Sequence, residues 1–108
     1  MSERQLKMSA LISELAAEFL SGESNRLSLI TVTRADISPD FARATIYISV
    51  FPDDKEEEAL HFTRRKRAAF RDMLKKRLNA RRIPFVEFEL DYGEKNRQRI
   101  DEISNENL

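Results

Sequence analysis

Hydrophobic residues recur every three to four positions in the first part of the chain and every second position in the part that follows. The first pattern predicts an amphipathic helix that ends near Gly22, a common stop residue. A short polar connection, Glu23–Arg26, comes next. The apolar positions of the predicted helix are Leu6, Met8, Leu11, Ile12, Leu15, Ala16, Phe19 and Leu20.

Two strands joined by a tight turn are predicted after this helix. Leu29–Ile37 is rich in β-branched residues, and its alternation slips at Arg34-Ala35, which indicates a bulge. Ser38-Pro39-Asp40 is a turn signal, because proline presets φ and aspartate can bond its own backbone. Ala42–Phe51 then alternates without interruption, so the short turn predicts an antiparallel hairpin. The residues expected to face the core are Ala42, Ala44, Ile46, Ile48 and Val50.

A long helix is predicted to begin after Pro52 and to run to about Leu78, before Ile83-Pro84. Acidic residues crowd its first turn, where the helix dipole favours negative charge. Its apolar stripe is broken at positions 64–67, which predicts a kink or a departure from the sheet at that point. The stripe consists of Ala59, Phe62, then Ala69 or Phe70, and Met73.

A third strand, Phe85–Asp91, follows the long helix. Val86, Phe88 and Leu90 are expected to face the core, and the alternate acidic residues Glu87, Glu89 and Asp91 to face outward. Because a helical crossover separates this strand from the second, the two can lie parallel if they are adjacent. Tyr92-Gly93 predicts a turn, and Lys95–Ile103 a last weak helix before a frayed end. The order predicts a single α+β domain over residues 1–108, with helices on one face of a three-stranded sheet.

Charge is segregated along the chain. The formal net charge is zero, with 19 basic and 19 acidic residues. The stretch Arg64–Arg82 contains ten Lys/Arg and one acid, Asp72, and so carries +9, whereas the rest of the chain carries −9. Complementing a helix dipole needs one or two cations, and ten like charges on one helix repel each other. The stretch therefore predicts a site for a polyanion with salt-dependent affinity.

The candidate phosphate contacts divide by position. Arg71, Lys75 and Lys76 are the strongest candidates, since they share a continuous helical face, and Arg64 and Arg82 extend the same line at seven-residue spacing. Arg77, Arg81 and Arg82 lie in the last turn of the predicted helix or just beyond it, so they could also serve to complement the helix dipole. The full set of predicted binding residues is Arg64, Arg65, Lys66, Arg67, Arg71, Lys75, Lys76, Arg77, Arg81 and Arg82.

No pattern in the sequence indicates catalysis. The two glycines, Gly22 and Gly93, lie outside any phosphate-cradling motif, which excludes the dinucleotide-binding and P-loop signatures. The chain has no cysteine and one histidine, His61, which rules out disulfides and the common zinc arrangements. We expect His61 and the acids of the first turn, Glu56–Glu58, to be ordinary helix residues. The protein is thus expected to be no enzyme and to use neither metal nor cofactor.

The location predicted from sequence is the cytoplasm. No apolar run approaches the roughly 20 residues that span a bilayer. Met1–Gln5 lacks the basic-then-apolar order of a signal peptide. We expect a monomer with no membrane partner and no small-molecule substrate.

Three passages resemble the ribosome-binding factor A family. Ile37–Asp40 leading into Ala44–Val50 is similar to the family's S-x-D-x-x-x-A-x-V-Y-V-S passage. Phe70–Phe88 is similar to its F-L-R-x-x-L-x-x-R-L-x-L-R-x-x-P-x-L-x-F passage, and Arg99–Ile103 resembles its end. Each motif alone is weak, but their order and spacing are specific, and together they cover residues 4 to 105.

The resemblance implies a type II KH-like fold, α-β-β-α-kink-α-β. It implies a non-catalytic factor that binds the free 30S ribosomal subunit, assists late maturation of 16S rRNA including its 5′ region, and is linked to cold adaptation. The predicted binding residues would then contact 16S rRNA. The family's Ala-x-Gly kink aligns with Lys66-Arg67-Ala68, where both the alanine and the glycine are substituted.

Two alternatives stay open. The first is a general single-stranded RNA chaperone, for which Tyr47 and Phe51 are the only aromatic residues expected to be exposed for stacking. The second is a protein-interaction adaptor that uses the acidic face of the third strand. Binding to bulk RNA, compared with binding to purified small subunits, separates the first alternative from an assembly factor.

Overall fold

The computed structural model describes residues 2–22 and 29–93. The predicted Glu23–Arg26 connection, the weak helix at Lys95–Ile103 and the frayed end lie outside these residues. The elements within them are α1 (Glu3–Gly22), β1 (Leu29–Ile37), β2 (Arg43–Phe51), a 3-10 turn (Asp53–Lys55), α2 (Glu56–Arg65), α3 (Arg67–Arg77) and β3 (Phe85–Leu90). This is the predicted α+β order, α-β-β-α-kink-α-β.

The three strands form one mixed sheet in the order β1-β2-β3. β1 and β2 pair antiparallel and β2 and β3 pair parallel, which confirms the hairpin and the crossover. The register shifts between Val32 and Arg34, so Thr33 is the extra residue of a bulge that lies just before its predicted position. Tyr92 and Gly93 are helical instead of forming the predicted turn.

The core lies between the sheet and the helices. Alternate residues of β2 are buried as predicted, with Ile46 and Ile48 fully inaccessible. Phe70 of α3 stands at the centre, 5.3 Å from the ring centroid of Phe19 in α1 and 6.0 Å from that of Phe88 in β3. These aromatic contacts fasten α3 to α1 on one side and to the sheet on the other.

The apolar stripe of the long helix differs from its predicted composition. Thr63 occupies a core position because its hydroxyl donates to the Leu60 carbonyl at 2.9 Å, which satisfies the hydroxyl without water. Phe62 and Met73 are half-buried beside the stripe, and Ala69 is exposed. The buried positions are Ala59, Thr63, Phe70 and Leu74.

The end of β3 is joined to β1 through side chains. Asp91, predicted to face solvent, is only 9% exposed, because Thr33 and Arg34 cover its carboxylate. The Thr33 hydroxyl donates to Asp91 Oδ2 at 2.5 Å, and Arg34 Nε lies 3.8 Å from the same oxygen. Arg34 also lies 3.9 Å above the Tyr47 ring, so that ring is half-buried and less available for stacking than predicted.

The β1–β2 turn is held by a short network of hydrogen bonds. Asp40 Oδ1 accepts from the Ser38 hydroxyl at 2.6 Å and from the Ala42 N–H at 3.1 Å. These bonds, with the serine hydroxyl contributing most, lower the pKa of the Asp40 carboxyl. Phe41 takes a positive φ of 60°, and its N–H donates to the Ser38 carbonyl at 2.9 Å.

Candidate nucleic-acid interface

A single residue makes the kink between α2 and α3. Lys66 has φ −92° and ψ 0°, in the bridge region between helix and strand conformations, which L-residues other than glycine can adopt. Its N–H is shared between the carbonyls of Phe62, at 3.2 Å, and Thr63, at 3.1 Å. Because φ is negative, the chain makes the kink without the glycine of the family pattern. The kink falls within the predicted positions 64–67.

The loop after α3 returns the chain to the sheet. α3 ends at Arg77, and Leu78 is extended and buried. Arg71 holds the far end of the loop: its Nη2 donates to the Ile83 carbonyl at 3.1 Å and its Nε to the Pro84 carbonyl at 3.3 Å. The guanidinium of Arg71 therefore fixes the point at which β3 begins, and part of its donor capacity is used within the protein.

A groove of about 420 Å³ opens between the kink, α3 and the start of β3. Five of the ten predicted cations line it, from both sides of the kink. Its apolar lining residues include Val86, which is buried, and Ala68, which is exposed. The lining residues are Arg64, Arg65, Arg67, Ala68, Arg71, Asp72, Lys75, Phe85 and Val86.

Phe85 is an exposed aromatic residue inside this groove. Its side chain is 46% exposed, and the guanidinium carbon of Arg67 lies 5.6 Å from its ring centroid, within the range of a cation–π contact. Phe85 was not among the aromatic residues predicted to be exposed. The signal was present, since alternation along β3 places Phe85 with Glu87 and Glu89 and opposite to Val86 and Phe88.

Two cations of the groove have acidic neighbours at long distance. Arg64 Nη2 lies 3.9 Å from Glu89 Oε1, and Lys75 Nζ lies 3.9 Å from Asp72 Oδ1. All four side chains are more than two-fifths exposed. Exposed pairs of this kind contribute about 0–1 kcal/mol. An incoming phosphate can therefore displace the carboxylates at small cost.

The other predicted binding residues lie outside the groove lining. Arg77 Nη1 donates to Glu18 Oε1 of α1 at 3.1 Å, which links the two helices. Lys66 is half-buried, with its Nζ 6.0 Å from the Phe62 ring centroid. Lys76 is exposed on α3, and Arg81 and Arg82 are exposed in the loop. The predicted helical line through Arg82 is therefore wrong, since α3 ends five residues earlier.

Residues considered for other chemistry lie apart from the groove. His61 is an exposed residue of α2, and its Nε2 lies 3.9 Å from Glu57 Oε1 one turn earlier, as expected of an ordinary helix residue. In residues 2–22 and 29–93 no three His, Asp or Glu side chains cluster in a way that could hold a metal ion. The described helices include none long and apolar enough to cross a membrane.

Comparisons with known proteins agree with this architecture. The family model described as ribosome-binding factor A matches residues 4–104. A ribosome-binding factor A of Flavobacterium johnsoniae is 32% identical over 104 residues, which cover 87% of this chain and 80% of that protein.

Solved structures of the same family share the fold. The crystal structure of ribosome-binding factor A from Thermus thermophilus superposes with a TM-score of 0.71 at 25% identity, covering 80% of this chain and 94% of that one. A homology model of the T. thermophilus protein has been fitted into a cryo-EM map of its complex with 30S. It superposes with a TM-score of 0.66 at 27% identity, covering 75% of this chain and 88% of that one. With the family model spanning nearly all of its residues, this chain belongs to the ribosome-binding factor A family.

Proposed function

We propose that this protein is a ribosome-assembly factor that binds the free 30S subunit in the cytoplasm and assists late maturation of 16S rRNA, including its 5′ region. It acts by binding RNA as a monomer, without making or breaking covalent bonds. The basic groove between the kink, α3 and β3 is its principal RNA contact.

The observation that carries this proposal is the gathering of cations in one groove of a neutral protein. Folding brings Arg64, Arg65, Arg67, Arg71 and Lys75 around a single concave surface. The lining also includes one acid, Asp72, so positive charge predominates, and a concave surface of predominantly positive charge concentrates a polyanion and speeds its association. Arginine suits phosphate better than lysine does, because its planar guanidinium can donate two parallel hydrogen bonds.

Membership in the family supports the choice of polyanion. The T. thermophilus relative has been placed in a map of its complex with 30S. Charge by itself does not distinguish RNA from other polyanions. The choice of RNA therefore rests on family membership, and the position of the contact rests on the groove. Shape and phosphate contacts suffice for docking on a folded rRNA, whose backbone presents charge in a fixed pattern.

Sedimentation in a sucrose gradient tests the proposal. The protein is mixed with purified 30S, 50S and 70S particles, and the gradient fractions are probed for it. We expect co-migration with 30S alone. Co-migration with 50S or 70S, or with no particle, would contradict the assembly-factor function, and equal binding to bulk RNA would favour a general RNA chaperone instead.

Charge reversal in the groove tests its role. Arg64→Glu together with Lys75→Glu should abolish co-migration with 30S, because both residues line the groove and neither is buried. The matched control is Arg4→Glu together with Lys7→Glu on α1, which changes the net charge equally but lies outside the groove lining. Each single charge reversal should leave enough affinity to measure. It should reduce the number of counterions released on binding, read from the slope of log affinity against log salt concentration, by about one. If both double variants lose 30S binding to the same extent, the net charge and not the groove governs binding.

A further inference from the structure

We propose that Phe85 is a stacking platform for one unpaired base, so that the basic groove takes single-stranded RNA and not a duplex. The inference rests on the proposed function and specifies the form of RNA that this site recognises. Three sets of observations support it: the exposure of the ring, the rigidity of its backbone and the cations around it.

The exposure of Phe85 is not explained by packing. Large apolar side chains gain stability from burial, yet this ring is 46% exposed and faces away from Val86 and Phe88, which fill the core. Phe51 and Tyr92 are also exposed in the described part of the chain. Neither lines the basic groove, so Phe85 combines an accessible aromatic face with surrounding positive charge.

The backbone holds the ring in a defined place. The Phe85 N–H donates to the Ala42 carbonyl of the hairpin at 2.9 Å. The preceding Pro84 is buried and its φ is fixed by its own pyrrolidine ring, and its carbonyl accepts a hydrogen bond from Arg71. An aromatic side chain has few rotatable bonds, so a ring anchored in this way loses little conformational entropy when a ligand stacks on it.

The surrounding cations complete a nucleotide-sized site. Arg67 lies within cation–π distance of the ring, and Arg64 and Lys75 line the same groove. A base stacked on Phe85 would place its own and its neighbours' phosphates among these cations. This pairing of an aromatic face with a basic groove is how proteins bind single strands with little sequence preference. In a duplex both faces of each base are already stacked, so a duplex cannot use the ring.

Replacing the ring with an aliphatic side chain tests the proposal. Phe85→Leu keeps apolar bulk but removes the aromatic face, and it should weaken binding to a fluorescein-labelled oligouridylate by about 5- to 150-fold, the range for loss of one stacked base. The matched control is Phe51→Leu at the opposite end of β2, roughly 26 Å away at the rise of a strand. The control should bind like the unaltered protein, and a fully paired duplex of the same length should bind the unaltered protein more weakly than the oligouridylate does.

A tryptophan at the same position gives a direct readout of stacking. The chain contains no tryptophan, so Phe85→Trp introduces a single indole whose fluorescence reports on the groove. Stacking of a base quenches indole emission. We expect the oligouridylate to quench the Phe85→Trp variant and to leave the Phe51→Trp variant unchanged, with both variants binding RNA at least as tightly as the unaltered protein.

The outcomes separate this inference from the function on which it rests. Wild-type affinity of Phe85→Leu for the oligouridylate, absence of quenching in Phe85→Trp, or no binding of the oligouridylate at all would overturn the stacking inference. Co-migration with 30S that is lost on reversal of Arg64 and Lys75 would still stand after any of those results. If the unaltered protein does not co-migrate with 30S, the proposed function itself is contradicted.

Discussion

Removing the guanidinium of Arg71 should loosen the groove by freeing the loop that leads into β3. Arg71 is half-buried, and it donates to the Ile83 and Pro84 carbonyls at 3.1 and 3.3 Å. Arg71→Met keeps most of the aliphatic stem and deletes both donors. Arg71→Lys keeps the charge but offers a single ammonium on a differently shaped stem.

The expected loss follows from these two bonds. A hydrogen bond to a charged group contributes about 1.5–3 kcal/mol. Both distances are at the long end of the normal range, and the site is half-solvated, so the lower figure applies to each. We expect Arg71→Met to lower the free energy of unfolding by about 2–3 kcal/mol, and Arg71→Lys by about half of that.

Urea unfolding followed by circular dichroism measures the change. With a slope of about 1–3 kcal/mol per molar urea for a small domain, Arg71→Met should lower the midpoint by roughly 0.7–3 M. The matched control is Lys76→Met, the same kind of change at an exposed position of α3, which should stay within about 0.5 kcal/mol. If Arg71→Met is as stable as that control, the carbonyl contacts do not hold the loop and Arg71 is free to serve as a phosphate ligand.

Other predictions concern the core, the turn and the kink. Phe70→Ala should cost about 3–5 kcal/mol in urea unfolding, because the fully buried ring contacts both α1 and β3. Ser38→Ala should raise the pKa of Asp40 toward 3.8 in an NMR titration. Because the Ser38 hydroxyl also accepts a hydrogen bond from the Arg43 N–H at 3.0 Å, Ser38→Ala should be less stable than the unaltered protein at every pH. The part of this loss that comes from the lowered Asp40 pKa should be full at neutral pH and disappear as the pH falls through the lowered pKa. Lys66→Gly should be about 0.4–1 kcal/mol less stable than Lys66→Ala, since both remove the side chain, φ is negative at this position and glycine adds chain entropy; a glycine variant more stable than the alanine variant would mean that the kink is strained.

Periodicity predicted the order of the helices and strands and most of the residues that each buries. The uninterrupted alternation of Ala42–Phe51 predicted the second strand of the hairpin, because a strand packed on one face must alternate. The break at positions 64–67 identified the kink for a related reason: a helix that loses its apolar stripe for a full turn cannot continue along the same core. Thr63 was missed because a hydroxyl that bonds to its own helix looks polar in sequence but behaves as a core residue.

The composition of the groove depended on contacts between distant parts of the chain. The positive charge of Arg64–Arg82 could be read from the sequence. The helical line predicted to run through Arg82 does not exist, because α3 ends at Arg77 and leaves Arg81 and Arg82 in the loop. Nothing in the local sequence indicates that Arg71 spends donors on the loop carbonyls or that Arg77 pairs with α1. Phe85 was within reach of prediction from alternation, whereas its place beside Arg67 follows from the kink geometry.

The contact between Thr33 and Asp91 bears on how the sheet opens. Among the described strands β3 pairs with β2 alone, and an outer strand ordinarily detaches and exchanges its amide protons with solvent before a central one does. The Thr33 hydroxyl and Arg34 of β1 reach across the central strand and hold the carboxylate at the end of β3. Detachment of β3 therefore also breaks contacts with β1, so the two outer strands should open as one cooperative unit, and the amides of β3 should exchange at rates close to those of β1.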